Sequence, residues 1–344
     1  MVIETGEHWQ SLIRYRPHCS AVHLTESMPA ELREKLKKQG YHLIGERGAY
    51  KACQWQKKAL TSGDVCYKQR FYGIQSHRCL QMTPVVDKCT QSCQFCWRVT
   101  PQDVGVSWDQ LRVGSAPGPE DLLDGVLTAN LRTLGGYNPE IDSSVPSELY
   151  KEARDPKHVA ISLAGEPTLY PQISELVDEI RHRDMTSFLV SNGTNPEVLR
   201  RMSSPTQLYV TLAAPDERTY KELCRPGIKD GWQRLLDSQE SLHSLNTRTV
   251  NRLTMVSGRN MHSPRSYAEL IERGEPDFVE VKAFMFLGSS RGRLTNSNSP
   301  SHRDIRAFSG NLASLTGYYF ADEQAESRVV LLSRRKHINK IQNA

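Results

Sequence analysis

The sequence predicts an α/β protein organised on a parallel sheet, and three observations lead there. From residue 81 onward six short β-rich runs alternate with helical stretches. Four of the five intervening helices open at or beside a proline, the residue suited to a first helical turn. The connections are also long enough for right-handed βαβ crossovers.

In chain order, residues 29–38 space their apolar side chains for one short amphipathic helix, closed by Gly40. The first 80 residues read as an appendage to the main domain. Strands are predicted at 81–86, 158–163, 187–190, 207–212, 249–256 and 278–286, and helices at 119–134, 171–183, 196–202, 231–245 and 264–273. Residues 288–300, rich in Ser, Asn, Gly and Arg, read as a mobile surface loop. Periodicity alone does not say whether the sheet stays open or curls into a partial barrel. In either case ligands gather at the carboxyl ends of the strands. Those ends carry Asp87-Lys88-Cys89, Gly165-Glu166-Pro167, Ser191-Asn192-Gly193 and Ala214-Pro215.

Ordinary proportions of apolar residues, Gly and Pro exclude disordered and collagen-like chains. Nothing approaches the roughly 18 apolar residues of a membrane span, and the first thirty residues hold charges rather than a secretory signal. A cytoplasmic protein is expected, so its eight cysteines point to metal or redox chemistry rather than disulfides.

Six of those cysteines fall within 44 consecutive residues. Cys89, Cys93 and Cys96 follow the first predicted strand in a C-x3-C-x2-C loop that can wrap three thiolates around one inorganic object. Three ligands to an iron–sulfur cluster leave one iron open, while a zinc ion closed by a fourth cysteine is the structural alternative. Upstream, Cys53, Cys66 and Cys79 recur every 13 residues, a spacing that requires three separate loops to converge. Cys19 and Cys224 have no partner at ligand spacing and read as dispensable thiols.

The C-x3-C-x-Phe-C loop, followed by Gly165-Glu166-Pro167 after the second strand, resembles the radical S-adenosylmethionine superfamily. That likeness implies a partial (β/α)6 TIM-like barrel. It also implies a 4Fe–4S cluster on Cys89, Cys93 and Cys96 that chelates S-adenosylmethionine and yields a hydrogen-abstracting adenosyl radical. Phe95 is then expected against the adenine, Gly165 and Glu166 by the methionine amino group, and Ser191 and Asn192 by the ribose or carboxylate.

The full cysteine series, with Lys68 two residues after Cys66, more closely resembles the tRNA 4-demethylwyosine synthases. The likeness continues through residues 89–97, 164–171, 191–196, 249–261 and 279–293, although Ala213 stands where relatives can carry a carboxylate. It implies a second 4Fe–4S cluster on Cys53, Cys66 and Cys79 and a pyruvate imine on Lys68. The implied reaction removes hydrogen from the methyl of N1-methylguanosine-37 in tRNA-Phe. It then joins that carbon to pyruvate, expels the carboxyl carbon and closes the ring of 4-demethylwyosine. Too few residues precede the first cysteine for a flavodoxin-like domain. A stand-alone archaeal type is therefore expected, monomeric and fed by an external flavodoxin or ferredoxin.

The implied organisation is an N-terminal extension over residues 1–80 with the second-cluster cysteines and Lys68, a core barrel over 81–290, and a basic C-terminal extension over 291–344 that touches tRNA. Net charge is only +5, but residues 241–268 and 281–303 hold no Asp or Glu. Arg248, Arg252, Arg259 and Arg265, then Lys282, Arg291, Arg293 and Arg303, then Arg328, Arg334, Arg335, Lys336 and Lys340 are the expected phosphate contacts. Tyr67, Phe71, Tyr72 and Trp97 are the expected stacking partners of a flipped base. A radical enzyme acting on another small molecule or protein, and a zinc-stabilised RNA-binding module, are the alternatives.

Overall fold

A computed structural model describes residues 27–341, so Cys19 lies outside the described residues. Its strands are β1 (His42–Ile44), β2 (Gly48–Tyr50), β3 (Cys79–Thr83), β4 (His158–Ile161), β5 (Thr186–Ser191), β6 (Gln207–Thr211), β7 (Arg248–Met255), β8 (Phe278–Ala283), β9 (Tyr319–Gln324) and β10 (Val329–Ser333). Among the described residues these form one sheet in the order β1-β2-β3-β4-β5-β6-β7-β8-β10-β9. From β3 to β8 every neighbouring pair is parallel, which is the predicted α/β core. The outer strands β1, β2, β9 and β10 are antiparallel additions. Because β1 and β9 do not pair, the barrel is partial.

The predicted helices appear as Ala30–Lys38, Pro119–Leu134, Ile173–His182, Pro196–Arg201, Gly231–Ser241 and Pro264–Gly274. Pro119 opens its helix at the first position, with Glu120 and Asp121 favourably placed against the positive end of the helix dipole. That helix buries Leu122, Leu123 and Val126 completely against the sheet, each contributing roughly 1.5–3 kcal/mol.

Strand alternation separates two faces. Val159, Leu189, Leu208, Leu253, Val279 and Val330 point to the crossover helices. Ala160, Phe188, Tyr209, Val250, Phe278 and Val329 point the other way, onto a cluster shared with Tyr67, Phe71 and Tyr72. The short helix Tyr67–Tyr72 from the N-terminal segment therefore fills the face that the crossover helices leave free.

Three expectations change. Residues 288–300 are not a loose loop: they form two 3-10 turns with Ser290, Leu294 and Pro300 buried. Tyr67, Phe71 and Tyr72 are core residues, 0–6 % exposed, and cannot stack on an incoming base. Residues 291–341 supply the capped helix His302–Thr316 and the β9–β10 hairpin to the same sheet. No described helix is long and apolar enough to cross a membrane.

Candidate functional site

The two cysteine trios reach the same end of the sheet by different local devices. Cys53 and Cys66 each stand immediately before a short helix, at Gln54–Thr61 and Tyr67–Tyr72, and Cys79 opens β3. Each of Cys66 and Cys79 feels the charge of Cys53, and Cys79 that of Cys66, so the upstream three converge as the spacing requires. Burial first, and thiol repulsion after it, push Cys66 up to about 11 and Cys79 up to about 12.

Cys89, Cys93 and Cys96 lie in a loop fastened on two sides. The backbone N–H of Ser92 donates to the Cys224 carbonyl at 3.0 Å and that of Gln94 to the Leu223 carbonyl at 2.9 Å. Across the loop, Arg293 donates to the carbonyls of Gln94 and Cys96 and pairs with Asp103 at 2.9 Å. Arg293 is thus a clamp on the cysteine loop rather than a free surface cation. Cys224, expected to stand alone, hydrogen-bonds the Cys93 thiol. No sequence spacing reveals that contact, because it joins elements 131 residues apart.

All the described cysteines are free thiols. The thiols of each trio sense one another, yet no three described His, Cys, Asp or Glu side chains crowd closely enough to share one bare ion. Such a donor set suits an object larger than a single ion, and three thiolates per group fit an iron–sulfur cluster with an open corner.

Behind the radical-type loop, Gly165 adopts φ +70°, and a Cβ there would lie 1.8 Å from the Val85 carbonyl oxygen. Only glycine lets this turn press onto the segment leading into Cys89. The adjacent Glu166 is buried and its carboxylate is saturated: Ser191 Oγ donates at 2.8 Å, the Asn192 backbone N–H at 2.7 Å, and Thr168 from both Oγ1 and N. Asn192 Nδ2 donates to Thr90 Oγ1 at 2.9 Å and reaches Cys89 Sγ at 3.5 Å. Gly165, Glu166, Ser191 and Asn192 therefore form one hydrogen-bonded turn cluster around Cys89. Phe95 packs half-buried between two apolar clusters at the same edge.

Lys68 is buried, with its ammonium nitrogen 4.8 Å from the Tyr209 ring centre and 5.1 Å from that of Phe188. Burial first, and the Arg252 guanidinium second, hold its pKa below the ordinary lysine value. Next to it lies a network the sequence reading missed. Glu280, fully buried, accepts from Tyr72 Oη at 2.8 Å, Tyr67 Oη at 3.2 Å and Arg252 Nη2 at 3.0 Å. Lys282 stands over the Tyr67 ring and donates to the Ser327 carbonyl, and burial takes its pKa down to about 8. Alternation within Phe278-Val-Glu-Val-Lys-Ala283 was the available signal, since it sends Glu280 and Lys282 to one face.

Arg252 and Lys282 thus leave the list of expected phosphate contacts, and Arg248 is half-buried on Phe278. Arg259, Arg265, Arg291, Arg303, Arg335, Lys336 and Lys340 are exposed. Trp97 is exposed beside the cysteine loop.

Residues 83–271 match the radical SAM superfamily, and residues 273–334 match the family described as wyosine base formation. The chain is 46 % identical to the S-adenosyl-L-methionine-dependent tRNA 4-demethylwyosine synthase of Pyrococcus abyssi, over 94 % of this chain and 95 % of that one. It belongs to that family. The synthase of Pyrococcus horikoshii is likewise 46 % identical, over 94 % of both chains. Among solved structures, a TYW1 described as having a lysine–pyruvate adduct bound superposes with a TM-score of 0.82 at 35 % identity, covering 92 % of this chain and 99 % of that one. Membership in a radical S-adenosylmethionine family means an enzyme that uses S-adenosylmethionine and an iron–sulfur cluster, and it removes the zinc-module alternative.

Proposed function

We propose that this chain condenses N1-methylguanosine-37 of tRNA-Phe with pyruvate to give 4-demethylwyosine, breaking the bond between the carboxyl and keto carbons and so acting as a carbon–carbon lyase. The observation that carries the reading is Lys68. It is an amine buried beside a cysteine trio, with a neighbouring cation that favours its neutral form. Only the neutral amine attacks a ketone.

In this reading Cys89, Cys93 and Cys96 hold one 4Fe–4S cluster and Cys53, Cys66 and Cys79 a second. When bound, the first with S-adenosylmethionine supplies hydrogen-atom abstraction and the second a Lewis-acidic template. The protein's own part begins with Lys68, whose nitrogen adds to the pyruvate keto carbon and, after loss of water, holds the acid as an imine. Tyr209 and Phe188 wall that amine from water, and Glu280 fixes Tyr67 beside it. The Glu166 turn, with Gly165, Ser191 and Asn192, shapes the S-adenosylmethionine end, and Phe95 offers the adenine an apolar wall. The exposed Trp97 ring and the exposed arginines and lysines would receive the anticodon loop. An external flavodoxin or ferredoxin would deliver the electron, and the enzyme would act in the cytoplasm as a monomer. Residues 1–80 would serve the second cluster, 81–290 the radical chemistry and 291–344 the RNA.

The test is anaerobic incubation of the reconstituted protein with N1-methylguanosine tRNA, pyruvate, reductant and S-adenosylmethionine, read by nucleoside mass spectrometry. Two clusters correspond to about eight irons per chain, and one to about four. Lys68→Ala should keep the iron and the cleavage of S-adenosylmethionine while losing the tricyclic product. A fully active Lys68→Ala protein would remove the imine from the mechanism.

A further inference from the structure

Arg98 is a buried cation for which the described residues provide no carboxylate partner. It is 6 % exposed, and its Nη1 has no hydrogen-bond partner among the described residues. Other buried arginines here are matched: Arg252 by Glu280 and Arg293 by Asp103. The groups acting most strongly on Arg98 are the Tyr41 hydroxyl, which is hydrogen-bonded to it, and the thiols of Cys96 and Cys53. It therefore stands between the two trios, one residue of each within its electrostatic reach. The guanidinium is held flat by Trp97, whose ring centre is 3.4 Å from Cζ. Lys51, with its nitrogen 4.8 Å from the Tyr41 ring, adds a second positive charge to the same corner.

A planar guanidinium deprived of water is costly unless an anion meets it, and its fork of donors matches a carboxylate. The wholly buried Nη1 is out of reach of a backbone phosphate on a bulky RNA but accessible to a small molecule seated between the trios. We propose that Arg98 binds the carboxylate of one of the two small reactants, either the methionine carboxylate of S-adenosylmethionine or that of pyruvate. This inference rests on the functional reading above, which supplies both carboxylates. Trp97 then has a dual task, one face locking Arg98 and its exposed edge facing the RNA.

The experiment uses the anaerobically reconstituted full chain as wild type, Arg98→Gln and Arg98→Lys. One arm measures S-adenosylmethionine binding by equilibrium dialysis. The other traps pyruvate on Lys68 with borohydride across a concentration series, read by intact mass spectrometry, with methyl pyruvate as the uncharged comparison. Loss of a charge-assisted bond should raise the half-saturating concentration roughly 10- to 100-fold for Gln in one arm, with Lys intermediate. If pyruvate is the ligand, the ester should be insensitive to the substitution. The arm that responds names the carboxylate.

Unchanged binding in both arms overturns the proposal. So does a change confined to the clusters' reduction potentials, which would make Arg98 a counter-charge for the thiolates alone. Should Arg98→Gln lose its iron, Arg98→Lys decides: a binding loss in one arm with iron retained supports the proposal, and wild-type affinity in both arms refutes it. A wild type that binds S-adenosylmethionine but neither traps pyruvate nor makes the tricyclic base fails the functional reading, while the first arm still tests Arg98.

Discussion

Removing the Glu280 carboxylate should unfasten the helix that carries Lys68. Glu280 is fully buried and receives bonds from two tyrosine hydroxyls and two Arg252 nitrogens, at 2.8–3.2 Å. Glu280→Ala leaves a largely buried guanidinium without its counter-charge and two hydroxyls without their acceptor. Breaking such a pair on one side costs about 3–5 kcal/mol. With an unfolding entropy of roughly 2.1 cal/mol/K per residue over 344 residues, that is a fall in Tm of roughly 4–7 °C. Anaerobic thermal and urea unfolding measure it. Replacing both partners, as Glu280→Leu with Arg252→Met, should recover most of the loss, because an apolar pair removes the stranded charge as well. Since Tyr67 neighbours Lys68, Glu280→Ala should also weaken pyruvate trapping beyond its effect on stability. A single variant that loses less than about 1 kcal/mol, or a double variant whose losses simply add, would refute the network as described.

Other consequences follow from particular contacts. His158 Nε2 accepts from the Gln75 N–H at 3.0 Å, so Nδ1 carries the proton toward Thr186, and burial lowers the ring's pKa from 6.5 to about 4. The unfolded chain therefore takes up this proton first, and stability falls as pH drops from 6.5 toward 4. Urea unfolding should find about 2 kcal/mol lost from this group between pH 7.5 and pH 5, a slope that His158→Gln removes. Gly165→Ala should destabilise the protein by at least about 3 kcal/mol, because its Cβ would collide with the Val85 carbonyl at positive φ; a normal melting curve and normal S-adenosylmethionine binding would contradict the close approach. Cys224→Ala should keep full iron content while costing about 1 kcal/mol, and a drop in iron would make Cys224 a ligand instead of a support for Cys93.

Much of the site was legible because its chemistry is written locally. Cys89, Cys93 and Cys96 share one loop, and Gly165-Glu166 and Ser191-Asn192 each follow a strand, so spacing alone brings them to one edge. Cys53, Cys66 and Cys79 were legible only as a regular interval, and Lys68 only through likeness to a family. The errors lie where charge was read without burial. A run free of Asp and Glu looks like a phosphate-binding patch, but Arg252 finds Glu280 from the next strand and Arg293 finds Asp103 from 190 residues away. The four antiparallel edge strands escaped notice for a related reason. At three residues each, β1 and β2 have too little pattern to read, and they exist because β3 offers them an edge to pair with.

Sequence alone determined the alternation of strands and helices, the two sets of thiols and the glycine turn behind them, since each depends on residues within a few positions of one another. The tertiary structure alone decided which face of the sheet the Tyr67–Tyr72 helix fills, which cations are neutralised and that Arg98 stands between the trios without a carboxylate of its own. Those outcomes depend on contacts between distant segments and on exclusion of water. A side chain's charge, solvation and partners follow from what folds over it, and that is not carried by its neighbours in the chain.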